Sequence, residues 1–162
     1  MNLAIISDTH MPRGDRRLAD ECVARLQQAD VIVHAGDLIA LEVLNDLKRL
    51  GRVVAVHGNQ DDPAVRAALP EVARLDADGA QIAIVHDAGP ARGRLRRMRA
   101  RFPDADAVIF GHSHIPLNEA DDDGFAIFNP GSPTERRRAP HRTMGIAHAQ
   151  DGLLTFELVV LG

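Results

Sequence analysis

Leu3-Ala4-Ile5-Ile6-Ser7-Asp8-Thr9-His10 is the stretch from which the rest of the chain can be read. An apolar run with consecutive isoleucines predicts a strand buried on both faces. Where that strand ends, an aspartate and a histidine follow with one residue between them. The same arrangement recurs. Val31-Ile32-Val33 runs into His34-Ala35-Gly36-Asp37, and Val53-Val54-Ala55-Val56 into His57-Gly58-Asn59-Gln60-Asp61. Between these runs, Leu18, Cys22, Val23 and Leu26, and then Leu41, Leu44, Leu47 and Leu50, recur at helical spacing. Gly51 closes the second of these helices. This βαβαβ alternation implies parallel strands with right-handed crossovers. Ligands of such sheets bind beyond the carboxyl ends of the strands, where Asp8, His10, Asp37 and Asn59 all fall.

Further along, Asp62-Pro63 reads as a helix start that Pro70 ends. The pattern then changes. Asp78-Gly79 signals a hairpin between Val72–Leu75 and Gln81–Val85, and the latter strand delivers His86. Leu95, Met98 and Phe102 make a helix whose outer face carries Arg92, Arg96, Arg97 and Arg99. Ala107-Val108-Ile109-Phe110 is another buried strand, ending in Gly111-His112-Ser113-His114. If those residues stay extended, the two histidines share a side with Cα atoms roughly 6–7 Å apart. That gap suits ligands to two neighbouring ions better than a chelate on one. Asp123-Gly124 and Asp151-Gly152 mark two more hairpins, so the second half is expected to form a second sheet.

Composition narrows the function. At 162 residues the chain is expected to be a single domain, 1–162, with a proper core. A net charge of -4, with five Phe and no Trp or Tyr, argues against a stable nucleic-acid partner, since base-stacking platforms are scarce. No apolar run is long enough to cross a membrane, and a cytoplasmic protein is the expectation. The lone Cys22 lies on an apolar helical face and reads as core packing.

Each polar motif taken alone has a bland reading as a turn, a cap or an exposed histidine. Together they do not: every one follows a strand-like run. The set Asp8-Thr9-His10, Gly36-Asp37, Gly58-Asn59-Gln60-Asp61, His86 and Gly111-His112-Ser113-His114 resembles the calcineurin-like metallophosphoesterase superfamily. The Asn129-Pro130-Gly131-Ser132 loop is similar to its small single-domain phosphodiesterase branch. The resemblance implies an α/β fold, a four-layer αββα sandwich of two mixed sheets flanked by helices. It implies one metal held by Asp8, His10, Asp37 and His114, and another by Asp37, Asn59, His86 and His112, with Asp37 bridging. Asp37, Asn59 and His112 are also its catalytic candidates.

The implied activity is hydrolysis of a small phosphodiester, the phosphoesterase reaction proceeding by attack of a metal-bridging hydroxide. A nitrogen and oxygen donor set without thiolate suits manganese foremost, or Ni, Fe or Zn, rather than Ca or Mg. The chain departs from the family pattern at Gln60, where many members carry a histidine that assists the leaving group. An amide cannot act as general acid, so diesters with good leaving groups should be preferred. Asp87 after His86 either orients a ligand histidine or caps the following turn. Gln60, Arg136 and Arg137 are candidate substrate contacts. The Arg92–Arg101 series reads as a solvated helix face, His34 and His57 as packing or supporting groups, and His141 and His148 as structural or exposed. The rival from another class is a non-catalytic protein-interaction scaffold of the same fold, which should have lost metal donors. A two-metal amidohydrolase needs a (β/α)8 barrel of about 250 residues and is excluded by length. A homo-oligomer is left open.

Overall fold

A computed structural model describes residues 1–162. Five strands, β1 (Asn2–Ile6), β2 (Val31–His34), β3 (Val53–Ala55), β9 (Arg142–Gln150) and β10 (Leu153–Leu161), form one sheet in the order β10-β9-β1-β2-β3. The other sheet holds β4 (Val72–Ala77), β5 (Ala80–Val85), β6 (Ala107–Ile109), β7 (Leu117–Ala120) and β8 (Ala126–Asn129), ordered β4-β5-β6-β8-β7. β1, β2 and β3 are parallel, as are β5, β6 and β8; the remaining pairs are antiparallel.

The continuous apolar runs are explained by burial on two sides. Along β1, Leu3 and Ile5 enter a core between the sheets with Val31, Val33, Ile82, Ile84, Ile109 and Phe128. Ala4 and Ile6 face the opposite way, into a core with helices α1 (Asp20–Gln28), α2 (Leu41–Leu50) and α3 (Pro63–Ala68), through Cys22, Leu26, Leu44, Leu47 and Val65. A third core packs α4 (Arg94–Arg101) on the second sheet through Met98, Val85, Val108 and Ile127, with Phe102 and Phe110 alongside. The layers are therefore helix, sheet, sheet, helix, and the αββα expectation holds. Cys22 is fully buried, and burial, with Glu21 nearby, pushes its thiol up to about 12, an unreactive packing group. No helix is long and apolar enough to cross a membrane.

Two local expectations need correction. The second half does not form the second sheet by itself. β9 and β10 return to the first sheet, where β9 pairs antiparallel with β1 through Leu3 and Ala147. A half-buried alternating strand shows which face is apolar but not which neighbour it will bond. Gly51 does end α2, yet with φ 174° it is extended rather than left-handed, and only its N–H to Leu47 O closes the turn. The Asp78-Gly79 hairpin is as expected, with both residues at positive φ, 52° and 89°.

Candidate metal centre

The topology puts the carboxyl ends of β1, β2, β3, β5 and β6 along one rim, and the seven predicted donors follow those five strands. Asp8, His10, Asp37, His86 and His114 are buried there, whereas Asn59 and His112 are exposed. Ligand atoms of Asp8, His10 and His114 lie within 4.8 Å of one another, and so do those of Asp8, Asp37 and His86. Asp37 Oδ2 sits 3.2 Å from His10 Nε2 and 3.3 Å from His86 Nε2, one histidine from each predicted set. Its other oxygen accepts the Gln60 N–H at 2.8 Å. Asn59 Oδ1 is 3.0 Å from His86 Nε2 and 3.2 Å from His112 Nδ1, so the second set is contiguous with the first.

Several of these groups fit a cation better than they fit one another. Asp8 Oδ1 and both ring nitrogens of His114 are buried with no hydrogen-bond partner, though Oδ1 and Nε2 lie 3.3 Å apart. An unpartnered buried carboxylate oxygen beside bare ring nitrogens is costly unless a cation occupies the space between them. Burial works to raise the carboxyl of Asp8, but its contacts with His114, His86 and Ser7 outweigh this and hold it below the usual range. Asp37 is likewise held low, by His10 and His86 against the effect of burial. Burial disfavours the charged form of His86, yet Asp37 and Asp8 prevail and raise it to about 9. His86 Nδ1 donates to Ala35 O at 2.8 Å, which leaves Nε2 for the site.

The backbone is shaped for the same end. Asp8, His10, Asp37, His112 and His114 have φ of 55°, 46°, 61°, 70° and 60°. Left-handed non-glycine residues cluster where function overrides local preference. The Gly111–His114 loop is thus not extended; it kinks at both histidines, which sends His114 to Asp8 and His112 to Asn59.

Supporting contacts that the sequence did not reveal converge on this loop cluster. Asp61 accepts the backbone N–H groups of Asp37, Ile39 and Gly58 at 3.1, 2.6 and 2.7 Å, joining the loops after β2 and β3. Asn129 donates to Gly111 O and Ser113 Oγ, while Ser132 Oγ donates to Asp8 O and Thr134 Oγ1 to Thr9 O. Glu135 places Oε1 2.8 Å from His114 Nδ1 and 3.5 Å from His10 Nδ1. Burial acts to raise the Glu135 carboxyl, but Arg16 and then His114 hold it below the usual range. The only sequence signal for Glu135 was its place beside the arginine cluster.

The arginines have definite tasks. Arg137 pairs with Glu135 Oε1 at 3.1 Å, and Arg136 reaches Pro140 O at 3.4 Å. Neither lines the cavity of about 370 Å³ beside Asn59, His86 and His112; Arg66 and Arg101 do. Arg94 and Arg97, read as a solvated face, donate to the carbonyls of Ala88, Gly89 and Pro90 in the loop after His86. Asp87 caps that turn through Gly89 N, and its other oxygen lies 4.0 Å from His112 Nε2. His57 also lines the cavity, its buried Nδ1 without a partner, while His34 is wholly interior.

Comparison with known proteins identifies the family. Residues 1–152 match the model of the calcineurin-like phosphoesterase superfamily domain. The chain belongs to that superfamily. It is 35% identical over 140 residues to a probable metallophosphoesterase of Methanocaldococcus jannaschii, covering 85% of this chain and 70% of the relative. A probable metallophosphoesterase of Methanothermobacter thermautotrophicus is 30% identical over 140 residues, 85% of this chain and 80% of that one. In structure the chain resembles wild-type Vps29 of Entamoeba histolytica, solved with zinc, at a TM-score of 0.78, 23% identity and 99% coverage of both chains. At that identity the last likeness concerns the fold alone.

Proposed function

We propose that this member of the superfamily is a phosphodiesterase dependent on two divalent transition-metal ions, manganese foremost, that hydrolyses a small phosphodiester. The observation that carries the reading is Asp37 Oδ2, within 3.3 Å of one histidine of each donor set, beside the unpartnered Asp8 Oδ1 and His114 Nε2. Asp8, His10, Asp37 and His114 would hold one ion, and Asp37, Asn59, His86 and His112 the other. Such ions supply Lewis-acid polarisation of the phosphoryl oxygens and a water acidic enough to attack phosphorus near neutral pH.

The protein's own groups account for access and orientation. His112 and Asn59 are exposed beside the cavity, so a phosphate enters over that half. Arg66 is fixed there by the carbonyls of Asn59 and Asp61, at 2.7 and 3.1 Å, and presents its remaining positive charge to an anion. Gln60 Oε1 accepts from Arg13 at 3.2 Å, so its amide can offer a leaving group only N–H donors and no transferable proton. A scaffold of this fold would have no need to retain all the donors, and all seven are present.

Hydrolysis of bis(p-nitrophenyl) phosphate by chelator-stripped protein tests the proposal, with Mn²⁺, Ni²⁺, Zn²⁺ or Mg²⁺ restored in turn. Turnover restored by Mn²⁺ and lost in Asp37→Asn and His112→Ala is the expected result. Protein that binds no divalent ion would refute the proposal and favour the scaffold. Two ions bound without turnover on any diester would refute the activity alone.

A further inference from the structure

The two halves of the centre are supported differently. Behind His10 and His114 stands a carboxylate. Glu135 Oε1 faces Nδ1 of both rings, at 3.5 and 2.8 Å, while their Nε2 atoms face Asp37 and Asp8 at 3.2 and 3.3 Å. The rings meet edge to face, with centroids 4.9 Å apart and planes at 73°; Oε1 lies close to both Nδ1 atoms as a charge contact, off the hydrogen-bonding direction of His114 Nδ1. Glu135 is itself anchored. Its Oε2 accepts from Arg16 Nε and Nη2 at 3.0 and 2.5 Å, and its backbone N–H donates to Ser132 Oγ at 3.2 Å. Arg137, more exposed, completes the setting of Oε1.

Behind the other half there is less. His86 Nδ1 has a neutral backbone carbonyl, Ala35 O. His112 has Asp87 at 4.0 Å, and both side chains are about half exposed, at 46% and 58%. A carboxylate behind an imidazole fixes its tautomer and makes the opposite nitrogen a better donor than a carbonyl does.

We propose that Glu135 is a positioning residue shared by His10 and His114, and that it makes the Asp8–His10–His114 half the tighter of two unequal cation sites. The inequality rests on the two-ion reading above; the role of Glu135 has its own test.

That test is titration of chelator-stripped protein with Co²⁺, followed by calorimetry and by the visible absorption of the bound ion. Wild-type protein is expected to show a tight and a weak class, with His112→Ala abolishing only the weak one. Glu135→Ala should weaken the tight class about 10- to 100-fold, alter its absorption band, and leave the weak class within about twofold. Glu135→Gln should recover part of the affinity, and Arg16→Gln, which frees Glu135 without removing it, should cause a smaller loss in the same class. Thermal unfolding of the stripped variants identifies any that fail to fold, in which case Arg16→Gln decides. Two equal classes in wild type would overturn the proposal, as would an equal loss in both classes for Glu135→Ala or no loss at all. Absence of any Co²⁺ binding by wild type would instead remove the two-ion reading.

Discussion

Asp8 Oδ2, at the end of the first strand of one sheet, accepts the backbone N–H of His112 from the other sheet at 3.0 Å. Ser7 Oγ donates to the same oxygen at 2.7 Å, so Oδ1 alone remains for the site. The two sheets are therefore stitched together at the point where the donors converge, and small changes there should affect both stability and metal binding.

Gly111 makes that approach feasible. A Cβ built on it would overlap Ser7 Oγ and come within 2.7 Å of Asp8 Oδ2. Gly111→Ala should cost about 1–3 kcal/mol, as overpacking in a rigid site does. It should also weaken Co²⁺ binding in both classes, measured by urea unfolding and calorimetry on the same preparation.

Asp61 carries three backbone N–H groups that no other acceptor serves. Asp61→Ala would leave buried donors unsatisfied at about 1–3 kcal/mol each, so roughly 3 kcal/mol or more should be lost. A fall in the urea midpoint with an unchanged slope would be the signature, and a variant as stable as wild type would show that water replaces the carboxylate.

His34 predicts how stability depends on pH. Its Nδ1 accepts from Gly36 N at 3.2 Å and its Nε2 lies 3.1 Å from Thr9 Oγ1, so it is buried as the neutral ring. Burial lowers it from 6.5 to about 3, with Asp8 only partly opposing. Below the unfolded value the unfolded chain binds the proton and the folded one does not, so stability falls as pH drops from 6.5 towards 3. The slope from this group is up to about 1.4 kcal/mol per pH unit. In the presence of chelator, His34→Gln should flatten the fall of the urea midpoint from about pH 6 to about pH 4, which lies between the unfolded value of 6.5 and the folded value of about 3. An unchanged acid limb would assign the loss to other groups.

Gln60 bears on substrate preference. With no proton to give, the site should hydrolyse aryl diesters faster than alkyl ones, and Gln60→His should raise the alkyl rate by about tenfold or more. Comparison of p-nitrophenyl and alkyl esters of one phosphate over the neutral range checks this. Equal wild-type rates would refute it.

The convergence of the candidate donors was legible because the place of each is encoded locally. An apolar run predicts a buried strand, the next polar residues must lie at its carboxyl end, and parallel strands bring those ends together. That holds for Asp8, Asp37, Asn59 and His86, and it holds for His112 and His114 even though the loop bearing them kinks rather than extends. The helical spacing of Leu41, Leu44 and Leu47 likewise sufficed to define α2.

What tertiary structure alone decided has a different cause. β9 joins β1 because their edges meet, a choice that period-two patterning leaves free. Glu135 stands behind His10 and His114 because Arg16, 119 residues away in sequence, holds it there. The same long-range packing brings Arg66 and Arg101, from different segments, to one cavity. A residue's type and its neighbours in sequence determine what it can bind. Which partner it meets is set by contacts between segments far apart in the chain, and these exist only once the two sheets have packed.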